Sequence, residues 1–252
     1  MTLAAAAWAE APPATVHGEL FTSDLVWSLG TRLKMDDMGR PGELGLRPMI
    51  GLRYGRWRTG AVDGDSWHRF GQLKTDNTLT YDWLDSKQWR TSLSASVVNL
   101  QRDSTFDLLQ SGRKTVRGKA TIDYLGWPHW SAGLVVTQDM LHRGAGTSLS
   151  PSVTYRQALS EDSTFLLSQS FTWSRSDLWR YRAPLDPSSY PDPGFPWGIS
   201  MDTSFTLRQR WKPHWSWFVQ LGRSQVLRAA DPITPAGQTH WSGQAGVVYF
   251  QR

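Results

Sequence analysis

Residues Thr239–Phe250 read THWSGQAGVVYF. Trp241, Gly243, Ala245, Val247 and Tyr249 fall on one face of this stretch. Ser242, Gln244 and Gly246 fall on the other, and Val248 and Phe250 make the end apolar on both sides. A period of two is that of a strand, not a helix. Strands of this kind, ending on an aromatic residue, close outer-membrane barrels by pairing with the first strand, which leaves the sheet no edge. Gly246, Tyr249 and Phe250 are the residues expected to carry that closing-strand signal.

The same alternation recurs upstream, at 24–34, 46–56, 73–83, 89–99, 116–124, 130–137, 149–155, 164–174, 199–207 and 215–221. In 46–56, Ile50, Leu52 and Tyr54 oppose Arg47, Gly51 and Arg53. In 116–124, Val116, Gly118, Ala120, Ile122 and Tyr124 oppose Arg117, Lys119, Thr121 and Asp123. A soluble sandwich also alternates, so two further features decide the class. Connections alternate between tight (84–88, 126–129, 159–162, 211–214) and long (101–114, 175–197, 227–238). Membrane barrels have short periplasmic turns and longer outer loops. Tryptophans also gather at strand ends. Trp83, Trp89, Trp127, Trp130, Trp211, Trp215 and Trp217 flank the tight turns, and Trp173, Trp179, Trp197 and Trp241 sit at the opposite ends. Two such belts mark two membrane interfaces.

The expected fold is therefore all-β: a closed antiparallel transmembrane β-barrel. Eight strands between 73 and 221 are paired by four tight turns. Parity then makes the first of the eight even-numbered, although only two strands precede it. One short strand is missing, with 68–72 or 17–21 as candidates, and twelve strands are preferred over ten. A single barrel domain is expected over 12–252. Residues 1–11 are read as a residual signal peptide or leader, with Ala7 and Ala9 placing cleavage before Glu10. Export through the periplasm to the outer membrane of a Gram-negative cell envelope follows from that reading.

Composition excludes other classes. No run of 18 apolar residues is present among the 252, so no transmembrane helix is expected. Mean hydropathy is −0.44, as strands that hide their apolar half behind every second residue allow. Cysteine is absent, which removes disulfides and Cys-ligated metals. The net charge is +5 and the pI about 9.6. No Lys/Arg run exceeds two residues and no nucleic-acid motif occurs, so dispersed arginines point to outer-membrane lipid, lipopolysaccharide or murein, and not to nucleic acid.

On the strand phasing, Arg32, Arg47, Arg53, Lys74, Asp76, Asp82, Arg90, Arg117, Lys119, Asp123, Asp202 and Arg208 share the lumenal face. A salt-bridged plug filling the barrel is one reading of that set, and a pore lining with anion preference is the other. The loop 176–198, rich in Pro and aromatics, is a lid, a docking surface or simple packing over the mouth. No histidine pair has metal-ligand spacing. The nearest approaches to a Ser/His pair are His68 with Ser66 and His240 with Ser242, and both fit loop or girdle positions better. No catalytic, cofactor or metal residue is assigned. A lipid-modifying enzyme is the least favoured class.

The chain resembles the MipA/OmpV family of outer-membrane proteins over about residues 25 to 250. The resemblance is carried by WSLG at 27–30, RPMIGLRYGRWR at 47–58, LQRDSTFDLLQSGRKT at 100–115 and AADPITPAGQTHWSGQAGVVYF at 229–250. It departs at Asp231, where a small residue is expected before Pro232, and in running past Phe250 to Gln251 and Arg252. The resemblance implies a barrel that scaffolds murein-processing enzymes, a lytic transglycosylase and a penicillin-binding synthase, with no catalytic residues of its own. Docking is then expected on the periplasmic side, through turns such as 85–88 and 211–214. A narrow channel or uptake protein with a basic lumen is the alternative.

Overall fold

The computed structural model describes residues 25–35, 44–60, 78–99, 114–143, 146–175, 197–228 and 239–251. They form twelve antiparallel strands in one closed barrel. In chain order these are β1 (Val26–Met35), β2 (Leu44–Tyr54), β3 (Trp57–Thr59), β4 (Leu79–Asp85), β5 (Trp89–Asn99) and β6 (Lys114–Tyr124). The second half comprises β7 (Trp130–Asp139), β8 (Thr147–Ala158), β9 (Ser163–Arg175), β10 (Trp197–Lys212), β11 (Trp215–Arg228) and β12 (Thr239–Phe250). Each strand pairs with its sequence neighbour, and β12 pairs with β1 from Ser28↔Phe250 to Met35↔Gly243. Closure leaves no strand edge unpaired, which a hydrocarbon environment requires.

The side chains are arranged inside out relative to a soluble sheet. Leu29, Leu46, Ile50, Leu93, Ile122, Val136, Phe205 and Val219 are exposed on the outer face. Arg32, Arg53, Asp82, Arg90, Asp139 and Arg208 are buried on the inner one. Water would strip an exposed aliphatic band of this extent, whereas lipid accepts it. Aromatic pairs stand at the tight-turn end: Trp89 with Tyr124, Trp130 with Tyr155, and Trp27 and Trp215 with Tyr249, at 4.8 to 5.4 Å between centroids. Trp83, Trp127 and Trp211 are among the most exposed residues of that rim.

The missing strand is β3, a three-residue strand directly after the turn Gly55-Arg56; the candidates 68–72 and 17–21 lie outside the described residues. Gly55 takes φ +55°, and a first turn residue of positive φ lets a two-residue loop follow the strand twist. The alternation runs through this turn without a break, so 46–56 reads as one strand. The 73–83 strand is described from Leu79 as β4, the even position that parity demands. Other limits shift outward. β10 extends to Lys212, leaving only Pro213 and His214 as the turn expected at 211–214. β7 continues to Asp139 and β8 to Ala158.

A slip between Asp82 and Leu84 in the β4–β5 register places Trp83 and Leu84 both outward. Asp85, expected in a turn, is therefore the last residue of β4 and faces inward. One part of the inner face is apolar. Met49, Phe218, Val248 and Phe250 form a buried cluster on β2, β11 and β12. Gly246 lets the strands approach there: a Cβ at that position would stand 2.6 Å from the Thr31 carbonyl oxygen and 2.8 Å from the Phe218 ring.

Candidate functional site

The candidate site is the charged part of the lumen. Asp82 on β4 is fully buried and organises the cations around it. Arg58 Nε donates to its Oδ1 at 3.2 Å and its Oδ2 at 3.0 Å. Arg90 Nη2 donates to Oδ2 at 3.0 Å. Arg53 Nη2 lies 3.6 Å from Asp82 Oδ2 and 3.9 Å from Asp85 Oδ2, and its Nε donates to the Gly55 carbonyl at 3.3 Å. Three guanidiniums on β2, β3 and β5 thus share two carboxylates on β4. Fixed in a dry wall, such ions hold one another at short range and are little screened by salt.

The remaining lumenal residues distribute around this group. Arg32 Nη1 donates to Gln244 Oε1 at 3.0 Å, and Gln244 in turn donates to Gln220. Arg47 stands opposite Arg32 in the β1–β2 register. On β6, Arg117 lies opposite Asp139, and Asp123 opposite Arg90. Lys119 lies opposite Ser94 and, with Arg58, Thr80 and Thr121, borders a small cavity. Asp202 on β10 lies between Ser170 and Ser224. Hydroxyls pair across strands between these charges, Thr80 with Ser94 at 3.0 Å and Thr154 with Ser168 at 2.8 Å. Lys74 and Asp76 fall outside the described residues.

A second cationic group lines the wall opposite Asp82. Arg208 on β10 is the largest fully buried side chain among the described residues. Arg156 on β8 borders a recess at the tight-turn mouth together with Lys87, His129 and Thr154. β4 and β10 are six strands apart in a ring of twelve, so the two groups face each other across the lumen. Arginines and lysines outnumber carboxylates on the described lumenal face, where Asp82, Asp85, Asp123, Asp139 and Asp202 are the acids.

Sequence reading did not identify Arg58, Asp85, Asp139 and Arg156 as lumenal. Arg58 lies on the strand that was missed, Asp85 behind the register slip, and Asp139 and Arg156 beyond strand ends drawn too short. Extending the alternation past 137 and 155 would have reached the last two. The described histidines sit at rims or walls. The His129 ring lies 3.3 Å from the Arg156 carbonyl oxygen and the His214 ring 3.1 Å from that of Phe250, while His240 stands opposite Ser224. His17 and His68 lie outside the described residues. Among the described residues no group of three or more His, Cys, Asp or Glu could hold a metal ion.

No protein-family model matches the chain, and no curated protein matches it in sequence. Solved structures similar to it include the NanC porin, at 11% identity and a TM-score of 0.41, covering 89% of this chain and 98% of that one. The KdgM porin in complex with disordered oligogalacturonate is similar at 12% identity and a TM-score of 0.44, covering 89% and 99%. A bacterial polysaccharide outer membrane secretin is similar at 9% identity and a TM-score of 0.48, covering 91% and 99%.

Proposed function

We propose that this protein is a narrow outer-membrane channel with a preference for small anions. The observation that carries the reading is the pair of arginine groups on opposite lumenal walls, Arg53, Arg58 and Arg90 on one and Arg156 and Arg208 on the other. In a narrow lumen with low-dielectric walls, fixed guanidiniums raise the local concentration of anions and repel cations. The outer band of aliphatic residues, bounded by tryptophans, supports placement in the outer membrane of a Gram-negative envelope, reached through the periplasm.

Planar bilayers holding the purified barrel under a potassium chloride gradient test the proposal. The expected result is small unitary currents with a reversal potential of anion-selective sign. Arg156→Gln with Arg208→Gln should move that potential toward the cation side. Silent bilayers, or cation selectivity in the unmodified protein, would overturn it.

The scaffold reading follows from the resemblance to the MipA/OmpV family and has a candidate surface in the tight-turn rim. Trp127 is exposed there beside Lys87 and His129, and Trp211 is exposed near the end of β10. Binding of a lytic transglycosylase that survives Lys87→Glu and Trp127→Ala would remove that surface from consideration.

A further inference from the structure

The carboxylates of the lumenal face differ in what they touch. Asp82 and Asp85 lie against arginines, Asp139 accepts from Thr115 and from the Leu141 amide at 3.1 Å, and Asp123 has a partner of its own. Asp202 is the exception. Its side chain makes no hydrogen bond or ion pair among the described residues. It faces the lumen from the half of β10 nearer Trp197, and it is only half-buried.

Hydroxyls surround it. Ser170 and Ser224 are its register partners on β9 and β11, and Ser200 and Ser204 are the inward residues on either side of it along β10. These hydroxyls also make no hydrogen bond among the described residues. The next ones out are already paired, Thr172 with Ser150 at 2.9 Å and Ser168 with Thr154 at 2.8 Å. His240 lies beyond Ser224 in the same row and has a partner of its own. The next inward cation along β10 is Arg208, about 20 Å away at the rise of a strand.

A carboxylate ringed by unengaged hydroxyls, with no cation beside it, is an acceptor site for one positive charge. A divalent ion is held by several carboxylates, and this ring offers one. A primary ammonium matches the inventory, with one N–H for the carboxylate and two for hydroxyl oxygens. A solute with only that charge is repelled by the arginines nearer the tight turns. A solute with only negative charge meets Asp202 unfavourably. A solute with both charges is matched by each group in turn.

We propose that Asp202, with Ser170, Ser200, Ser204 and Ser224, binds the ammonium group of a zwitterionic solute that carries a primary amine and a carboxylate. The solute's route to this site rests on the channel reading, but the test reads binding separately from current.

Saturation-transfer NMR of the folded barrel in detergent at neutral pH, with γ-aminobutyrate, butyrate or butylamine as the probe, measures that binding. The expected result is that γ-aminobutyrate binds more tightly than either single-charge analogue. Asp202→Asn should weaken it about tenfold, the scale of one charged hydrogen bond, and should leave butyrate bound no more weakly than before. The variant should keep its heat-resistant compact form, because the Asp202 side chain holds no other described residue in place. Asp202-dependent binding beside silent bilayers would support the site and overturn the channel reading alone. Unchanged binding of γ-aminobutyrate by the variant, or equal binding of γ-aminobutyrate and butyrate by the unmodified protein, would overturn the proposal. So would displacement of γ-aminobutyrate by an equal concentration of potassium, which would assign the ring to an alkali ion.

Discussion

Replacing Asp82 by asparagine is expected to destabilise the barrel by about 3–5 kcal/mol, the usual result of removing one member of a buried ion group. The residue is fully buried and accepts from Arg58 and Arg90, with Arg53 at 3.6 Å. Asparagine keeps the shape but leaves three guanidiniums close together with one carboxylate charge fewer, Asp85 lying 3.9 Å from Arg53. The loss comes mainly from uncompensated positive charge, so a second change that removes charge should return part of it. Urea unfolding of the barrel in lipid vesicles, followed by tryptophan fluorescence, measures both. Asp82→Asn should lower the midpoint strongly, and Asp82→Asn with Arg90→Gln should recover part of the drop. A midpoint equal to that of the unmodified protein would mean that the arginines are solvated by water and that no tight ion group exists.

The second large effect is expected at the closing strand. Phe250 turns inward and is buried with Met49, Phe218 and Val248, so Phe250→Ala should cost about 3–5 kcal/mol by opening a cavity that the stiff barrel wall cannot fill. Tyr249 turns outward and is surrounded by the rings of Trp27, Trp215 and His214 at 5.4, 5.3 and 5.6 Å. Tyr249→Ala should cost less, roughly 1–3 kcal/mol, because lipid replaces part of what is lost while the ring pairs are not regained. The amount of heat-modifiable compact barrel in an outer-membrane fraction reports both, and the expected order is unmodified, then Tyr249→Ala, then Phe250→Ala. Removing Gln251 and Arg252 gives up the Gln251 amide bond to the Trp27 carbonyl, at 3.0 Å, and should cost only about 1 kcal/mol. The reverse order would place the critical contacts of the seam on its lipid face.

The alternation that made this architecture legible is a direct imprint of the barrel, since every strand separates lipid from lumen. Parity of the turns went further and required an even strand at 73–83, which is β4. The three-residue strand β3 left no imprint, because it is shorter than two periods and its turn preserves the alternation of 46–56. The same shortness hid Arg58, and with it the three-way grip on Asp82. A register slip is equally silent: Asp85 looks like a turn residue until the pairing of β4 with β5 is known. Val248 and Phe250 are visibly apolar on both faces, but their packing against Met49 depends on which strand lies across the seam. What the sequence does not carry is register, and register assembles each of these groups.

Closure of β12 on β1 is the claim on which the rest depends, and a cross-strand disulfide tests it directly. The chain has no cysteine, so an introduced pair has no competitor. Thr31 and Val247 are register partners across the seam, and partners at antiparallel spacing lie within disulfide range. Thr31→Cys with Val247→Cys should therefore cross-link in the folded membrane-bound protein, whereas Thr31→Cys with Val248→Cys should not, because Val248 points to the opposite face. A linked first pair and an unlinked second pair are the predicted result; free thiols in the first pair, or equal linkage of both, would contradict the closed twelve-stranded barrel.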